Sequence, residues 1–419
     1  MIRTLLLSFS FLLLASSSYA QCEDGRYRDM IFPGFTVTSD VLYGNNINYQ
    51  GLAQDLFLDI YRPEGDTETS RPLIVVSHGG SYVSGSKTGL DVVPFCRDMA
   101  KMGYVVASIQ YRLGVPLTFD LEGPFKEAVL RGTHDSRAAV RFFRKNAAEN
   151  GNQYGIDPDK IFFAGSSAGA FNALHLAYMD TEAEISQYVD QSVAGLGGGV
   201  EGESGNAGYS SEVSGVINIA GALASPDLMQ EGDAPVCSFH GTGDTVVPFG
   251  TDMLTISGFI DIDTVHGSSI IDARAEVLGI EHCLTVQWLQ GHVPHVTNVL
   301  YYDSLRSVSS NFLSHLVCPQ IDLDCEYRTI DIATSLPEFQ VTESKIWPNP
   351  ASTELHILSG TMRGGNFMML DVTGQKVRSG ILGATEKVVP LEGLPNGLYL
   401  LQLQDERGMR TMRFHKAGY

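Results

Sequence analysis

Beyond its first twenty residues this chain has no apolar run long enough to cross a bilayer, which would need about 20 residues. The Leu5–Leu14 run is itself too short. With Arg3 before it and Ser18-Tyr19-Ala20 after it, it reads as an export signal at 1–20, cleaved after Ala20. Cys22 invites a lipid anchor, but Gln21 is a poor neighbour for one. No C-x-x-C occurs, which argues against a zinc ribbon or a thioredoxin-like site. The glycine-rich stretch 195–208 follows no strand and lacks a Lys-Ser/Thr pair, which excludes a phosphate-binding loop and leaves a flexible one. There are no tandem repeats. Basic residues are scarce: 28 Lys and Arg face 48 Asp and Glu, for a net charge of −20. Residues 344–419 are mildly basic, nine against six, so the acidity is concentrated in the middle of the chain. Such a body repels nucleic acid, and solubility is its simplest use.

What is present is 419 residues with 43% hydrophobic content, room for more than one core. A long α/β segment covers 21–318, a polar linker 319–343, and a compact β-rich module 344–419. In the long segment, Leu56–Tyr61 alternates as an edge strand would. Leu73–Ser77 and Tyr104–Ile109 are continuous apolar runs, as expected of parallel strands covered on both faces. Lys160–Ala164, Val213–Ala220, Val236–His240 and Leu284–Trp288 add further strands, with helices at Ser136–Asn150 and Ala170–Tyr178. Alternation of this kind predicts an α/β class: a doubly wound, mostly parallel sheet. The six cysteines all lie past the signal and suit disulfides in an exported protein. Cys318–Cys325 and Cys237–Cys283 are the pairings suggested by closeness.

The chemistry centres on Gly165-Ser-Ser-Ala-Gly169, a G-x-S-x-G elbow between a strand and a helix, with Ser167 as nucleophile. A serine hydroxyl needs a base, and the base needs an orienting acid. The acid is expected as Asp244, in the loop after strand 236–240; Asp227 and Asp261 follow strands less directly. The base is expected as His292, first off the last strand in Gly291-His-Val-Pro-His295, with His295 the competitor. The two histidines have no carboxylate or cysteine nearby at zinc-ligand spacing. His78-Gly-Gly-Ser81 follows strand 73–77. The N–H groups of Gly80, Ser81 and Ala168 are therefore the expected oxyanion hole, with His78 bracing the loop.

Together these pieces resemble the α/β-hydrolase fold, in particular secreted bacterial carboxylesterases with an HGG oxyanion loop, over about 25–316. The resemblance implies hydrolysis of an ester through an acyl-enzyme, with no metal or cofactor. Ser81 departs from relatives with a third glycine there, which bears on the acyl pocket. Ile346-Trp-Pro-Asn-Pro-Ala-Ser-Thr-Glu-Leu-His-Ile357, Leu370–Gln375 and Leu394–Leu400 resemble the C-terminal sorting domain of the type IX secretion system. That implies export to the exterior or outer cell surface through that machinery, then removal of a small β-sandwich tail by release or attachment. The expected substrate is a small-molecule or polymer-linked ester, with short-chain acyl groups favoured. Acetyl or feruloyl esters on polysaccharides, polyesters, and a non-catalytic adhesin on a hydrolase scaffold stay open. Gly114–Thr133, with Phe119, Leu121, Phe125 and Leu130, is either a cap that sets acyl length or an ordinary loop and helix.

Overall fold

The computed structural model describes residues 22, 24–116, 121–256, 260–328, 345–358, 365–371, 376–382, 386–405 and 408–418. The signal at 1–20, Phe119 and most of the expected linker lie outside them. The chain divides between Thr334 and Ser335 into two compact units.

The first unit is built on β1 (Phe35–Ile47), β2 (Ala53–Pro63), β3 (Arg71–Ser77), β4 (Val105–Ile109), β5 (Ile156–Ser166), β6 (Val216–Ile219), β7 (Ala222–Leu223), β8 (Val236–Gly241), β9 (Thr251–Ile256), β10 (Ile260–Gly267) and β11 (His282–Gln287). Its helices are α1 (Val93–Lys101), α2 (Glu122–Glu149), α3 (Ala168–Tyr178), α4 (Glu182–Tyr188), α5 (Ser268–Leu278) and α6 (Val299–Val317). Eight strands form one sheet in the order β1-β2-β4-β3-β5-β6-β8-β11. From β4 to β11 every pairing is parallel; β1 and β2 join antiparallel.

Every residue of β3 and β4 is buried, because both faces of the sheet are covered. Successive side chains of a strand face opposite ways, and the core divides accordingly. Leu73, Val75, Ile161 and Phe163 pack with Leu130, Phe143 and Leu174 from α2 and α3. Ile74, Val76, Phe162 and Ala164 pack with Phe95, Met99 and Phe312 from α1 and α6. Each of these side chains larger than alanine contributes about 1.5–3 kcal/mol. The α/β class and doubly wound, mostly parallel sheet follow from the continuous apolar runs.

Four expectations change. The edge strand is β1; Leu56–Tyr61 belongs to β2, the second strand of the sheet. β1 has a largely exposed, polar N-terminal half and no apolar run to announce it. The glycine-rich stretch is held in place. Arg112 Nη1 donates to Gly195 O at 2.9 Å, Arg141 Nη2 to Gly205 O at 2.7 Å, and His134 Nε2 to Gly199 O at 2.9 Å. The disulfides are Cys22–Cys318 and Cys283–Cys325; Cys96 and Cys237 are free and buried. Cys237 and Cys283 do sit opposite each other on β8 and β11. Strands about 4.8 Å apart hold such neighbours side by side, whereas a disulfide draws its Cβ atoms to about 3.8 Å. Cys22 in a disulfide also leaves no thiol for a lipid. Finally, residues 319–328 are strapped to the first unit rather than loose. Beyond the Cys325 bond, Arg328 Nη1 pairs with Asp29 at 2.5 Å and the Arg328 N–H donates to Ser307 Oγ at 2.9 Å.

The second unit has β12 (Lys345–Trp347), β13 (Glu354–Leu358), β14 (Asn366–Leu370), β15 (Lys376–Ile381), β16 (Glu386–Pro390), β17 (Gly397–Asp405) and β18 (Gly408–Lys416). They form antiparallel sheets β12-β13-β16 and β15-β14-β17-β18. Leu355, Ile357 and Val389 from one sheet share a core with Phe367, Met369, Leu401 and Phe414 from the other. This is an all-β sandwich. Among the described residues of the whole chain, no helix is long and apolar enough to cross a membrane.

Candidate active site

The site forms where β3, β5, β8 and β11 end. Ser167 links β5 to α3 at φ 54° and ψ −118°, a left-handed conformation costly for a residue with a side chain. Two glycines make this turn possible. A Cβ on Gly165 would lie 2.0 Å from Gly169 O, and one on Gly169 would lie 2.0 Å from Ser77 O. Strand, helix and the neighbouring β3 thus approach more closely than any other residue type allows. Ser167 is 7% exposed.

His292 Nε2 lies 2.8 Å from Ser167 Oγ, and His292 Nδ1 lies 2.6 Å from Asp244 Oδ2. An ionised carboxylate only accepts, so Nδ1 carries the hydrogen. In the neutral ring Nε2 is then bare and accepts from the Ser167 hydroxyl. The Asp244 side chain is buried, and its other oxygen accepts from the Val246 and Val247 N–H groups at 2.9 and 3.0 Å. His240 Nε2 stands 3.4 Å from Asp244 Oδ2. Burial alone would raise this carboxyl's pKa. The bonds from His240 and His292 outweigh it and hold the group well below the ordinary carboxylate range. His240 is in turn oriented by Ser268 Oγ at 2.8 Å and by donation to Val247 O at 3.0 Å.

His295, the competing histidine, lies elsewhere: buried, with Nε2 3.2 Å from the Asp91 carbonyl. Asp227 and Asp261 are exposed, and it is Asp244 that bonds His292.

The loop after β3 supplies the opposite wall. The Gly79 N–H donates to Asp91 Oδ2 at 2.7 Å, and a Cβ on Gly79 would lie 3.1 Å from Ser167 Cβ. Gly80, Ser81 and Tyr82 all have positive φ, which turns the backbone toward the elbow. Among the described residues nothing accepts a hydrogen bond from the N–H groups of Gly80, Ser81 or Ala168. His78 braces the loop, as expected: it stacks on Tyr111 at 4.5 Å, Nδ1 donates to Gly79 O at 2.7 Å, and Nε2 accepts from Gln110 at 3.1 Å. Burial lowers its pKa and keeps it neutral.

Asp91, Tyr82, Asn172 and His240 went unassigned from sequence. Tyr82 Oη is 2.9 Å from both Ala168 O and Asn172 Oδ1, tying the loop to α3. Only His240 had a local signal, since it opens the same His-Gly-Thr-Gly-Asp segment as Asp244. A small cavity opens beside Ser167, lined in part by Ser81, Ala168, Phe125, Phe171, Val247 and Leu254. Among the described residues no group of histidine, cysteine and acidic side chains is arranged to hold a metal ion.

The sheet order, the elbow and the relay at the sheet's C-terminal edge define the first unit as an α/β-hydrolase. Residues 58–221 match the family model BD-FAE, and residues 345–416 match the secretion system C-terminal sorting domain. The chain is thus an α/β-hydrolase-fold protein related to serine esterases, with a C-terminal sorting domain. Lipase 1 of Geotrichum candidum is 33% identical over 126 residues, 29% of this chain and 21% of that one. Carboxylesterase patB of Penicillium expansum is 30% identical over 132 residues, 27% and 22% respectively. The chain therefore spans about a fifth of the length of these curated relatives. The propionate-bound esterase Est2 of Thermogutta terrifontis is 22% identical, with 68% of this chain and 96% of that one covered at a TM-score of 0.48.

Proposed function

We propose that the protein is an exported serine carboxylesterase, and the observation that carries this is the unbroken line Ser167–His292–Asp244, with links of 2.8 and 2.6 Å. Ser167 Oγ attacks the ester carbonyl while His292 Nε2 takes its proton. Asp244 holds the ring in the required tautomer and stabilises the imidazolium. The N–H groups of Gly80, Ser81 and Ala168 receive the oxyanion, each worth about 3 kcal/mol in the transition state. His292 then protonates the leaving alcohol, and the acyl group stays on Ser167. Water, activated by the same ring, releases the acid. The small cavity beside Ser167 has a mainly apolar lining, which suits an acyl group.

The remainder of the chain fits a role outside the cytoplasm. Two disulfides need an oxidising compartment, and the second unit matches a sorting domain. In this reading residues 1–20 direct export, the type IX machinery recognises 344–419, and the first unit is the cargo.

Hydrolysis of p-nitrophenyl acetate by the full chain and by Ser167→Ala tests the activity. The expected result is turnover that falls by about 10³-fold or more in a variant with an unchanged melting temperature. A folded wild-type chain that cleaves no ester would overturn it.

A further inference from the structure

A second, larger cavity lies in the first unit, lined in part by Val129, Leu130, Met179, Ile185, Tyr188 and Val189. It shares Phe125, Phe171 and Leu254 with the cavity at Ser167, so the two adjoin at those three side chains. Of the three, Phe125 is held in place. Phe125 meets Tyr82 edge-on at 5.5 Å and 86°, and Tyr82 is anchored to Ala168 and Asn172. Phe171 lies one helical turn beyond the nucleophile.

The charged and imidazole groups of the second cavity are already engaged. His175 Nδ1 donates to Phe171 O at 2.9 Å, and burial keeps the ring neutral by pushing its pKa down to about 4. Lys126 Nζ pairs with Asp263 at 2.9 Å and with Glu122 at 2.5 Å, linking α2 to β10. No unspent charge is offered to a ligand's tail. An occupant of such a space is hydrocarbon, since a polar one would lose its water without replacement.

We propose that the acyl chain of the substrate runs from Ser167 past Phe125 and Leu254 into this second cavity, so that the preferred esters carry saturated chains of medium length and Phe125 sets how easily they enter. This rests on the esterase function proposed above, and it replaces short acyl groups with longer ones as the favoured substrate. Position matters here: the cavity lies among α2, α3, α4 and the β9–β10 pair, on one side of the nucleophile. Lengthening the alcohol should therefore gain nothing.

The test uses the full chain and two ester series. One varies the acyl group of p-nitrophenyl esters from acetyl through butanoyl and octanoyl to palmitoyl; the other varies the alcohol of alkyl acetates. The expected kcat/KM rises about tenfold or more from acetate to octanoate, because each buried methylene favours binding of the transition state. It falls again at palmitate, and alkyl acetates stay flat. Ile185→Trp, which fills the second cavity, should cut octanoate hydrolysis about tenfold and leave acetate within about twofold. Phe125→Ala should move the optimum to longer chains. Should these variants fold poorly, the wild type still decides: sodium octanoate should inhibit acetate hydrolysis competitively far better than sodium acetate does. A rate that is greatest for acetyl, with octanoate no better an inhibitor than acetate, overturns the assignment while leaving the esterase intact. A folded chain that cleaves none of the esters overturns both.

Discussion

Asp244 shows how much of the proposed catalysis rests on one side chain. It accepts from His292, Val246 and Val247 and has His240 beside it. Asp244→Asn keeps the shape but lets His292 adopt the other tautomer. The expected loss is about 10⁴-fold in kcat with a much smaller change in KM, read from steady-state kinetics. Because the folded carboxyl titrates far below its ordinary value, Asp244 stays ionised throughout mildly acidic solution. Its stabilising contribution is fully present above about pH 4 and would be lost only as the pH falls through its depressed folded pKa. Ser167, Asp244 and His292 were legible in the sequence because each sits in a short segment whose neighbours announce it: glycines around the elbow, and a strand before each loop. Choosing His292 over His295 rested on its place first off the strand. Tyr82, Asp91 and Asn172 carry no such mark. Their roles come from loops that meet only after folding.

At the level of elements, α2 anchors the unit through charge. Arg112, just after β4, is fully buried with Asp135 of α2, with Nη2 at 2.8 Å from Oδ1. The same guanidinium donates to Ile47 O and Gly195 O, so one side chain joins β1, β4, α2 and the glycine-rich stretch. Arg112→Met would leave the Asp135 carboxylate buried without its partner. A cost of about 3–5 kcal/mol is expected, measured by urea unfolding. No pattern of apolar residues encodes such a joint, which is why that stretch looked loose in the sequence. The parallel strands were readable for the opposite reason: burial on both faces demands an uninterrupted apolar run. The second cavity was half visible. Phe125 and Leu130 stood out in the 114–133 segment, but their partners on α3, α4 and β10 are too distant in sequence to be grouped with them.

On the scale of the whole molecule, buried histidines should make the first unit sensitive to acid. Burial, helped by Arg112 and Arg137, pushes His134 down to about 3, and burial pushes His175 down to about 4. It also lowers His78 and His295. An unfolded chain takes up protons at these sites as the pH drops below about 6.5, while the folded one does not. Stability is therefore full above that value and declines below it, by about 1.4 kcal/mol per pH unit each for His134 and His175 down to their folded values. Calorimetry between pH 7 and pH 5 should find a falling melting temperature; a constant one would contradict this. The Cys22–Cys318 bond closes a separation of 296 residues, and Cys22→Ser should cost about 6 kcal/mol on the loop-entropy account, seen as an earlier denaturation midpoint. That bond also has a topological consequence. From Cys22 to Cys318 the backbone is a covalent ring, and Cys283–Cys325 adds a second, smaller one. A protease that cuts either ring once opens it and sets nothing free. The sorting domain hangs outside both rings, so a single cut between residues 325 and 345 parts it from an otherwise undivided molecule.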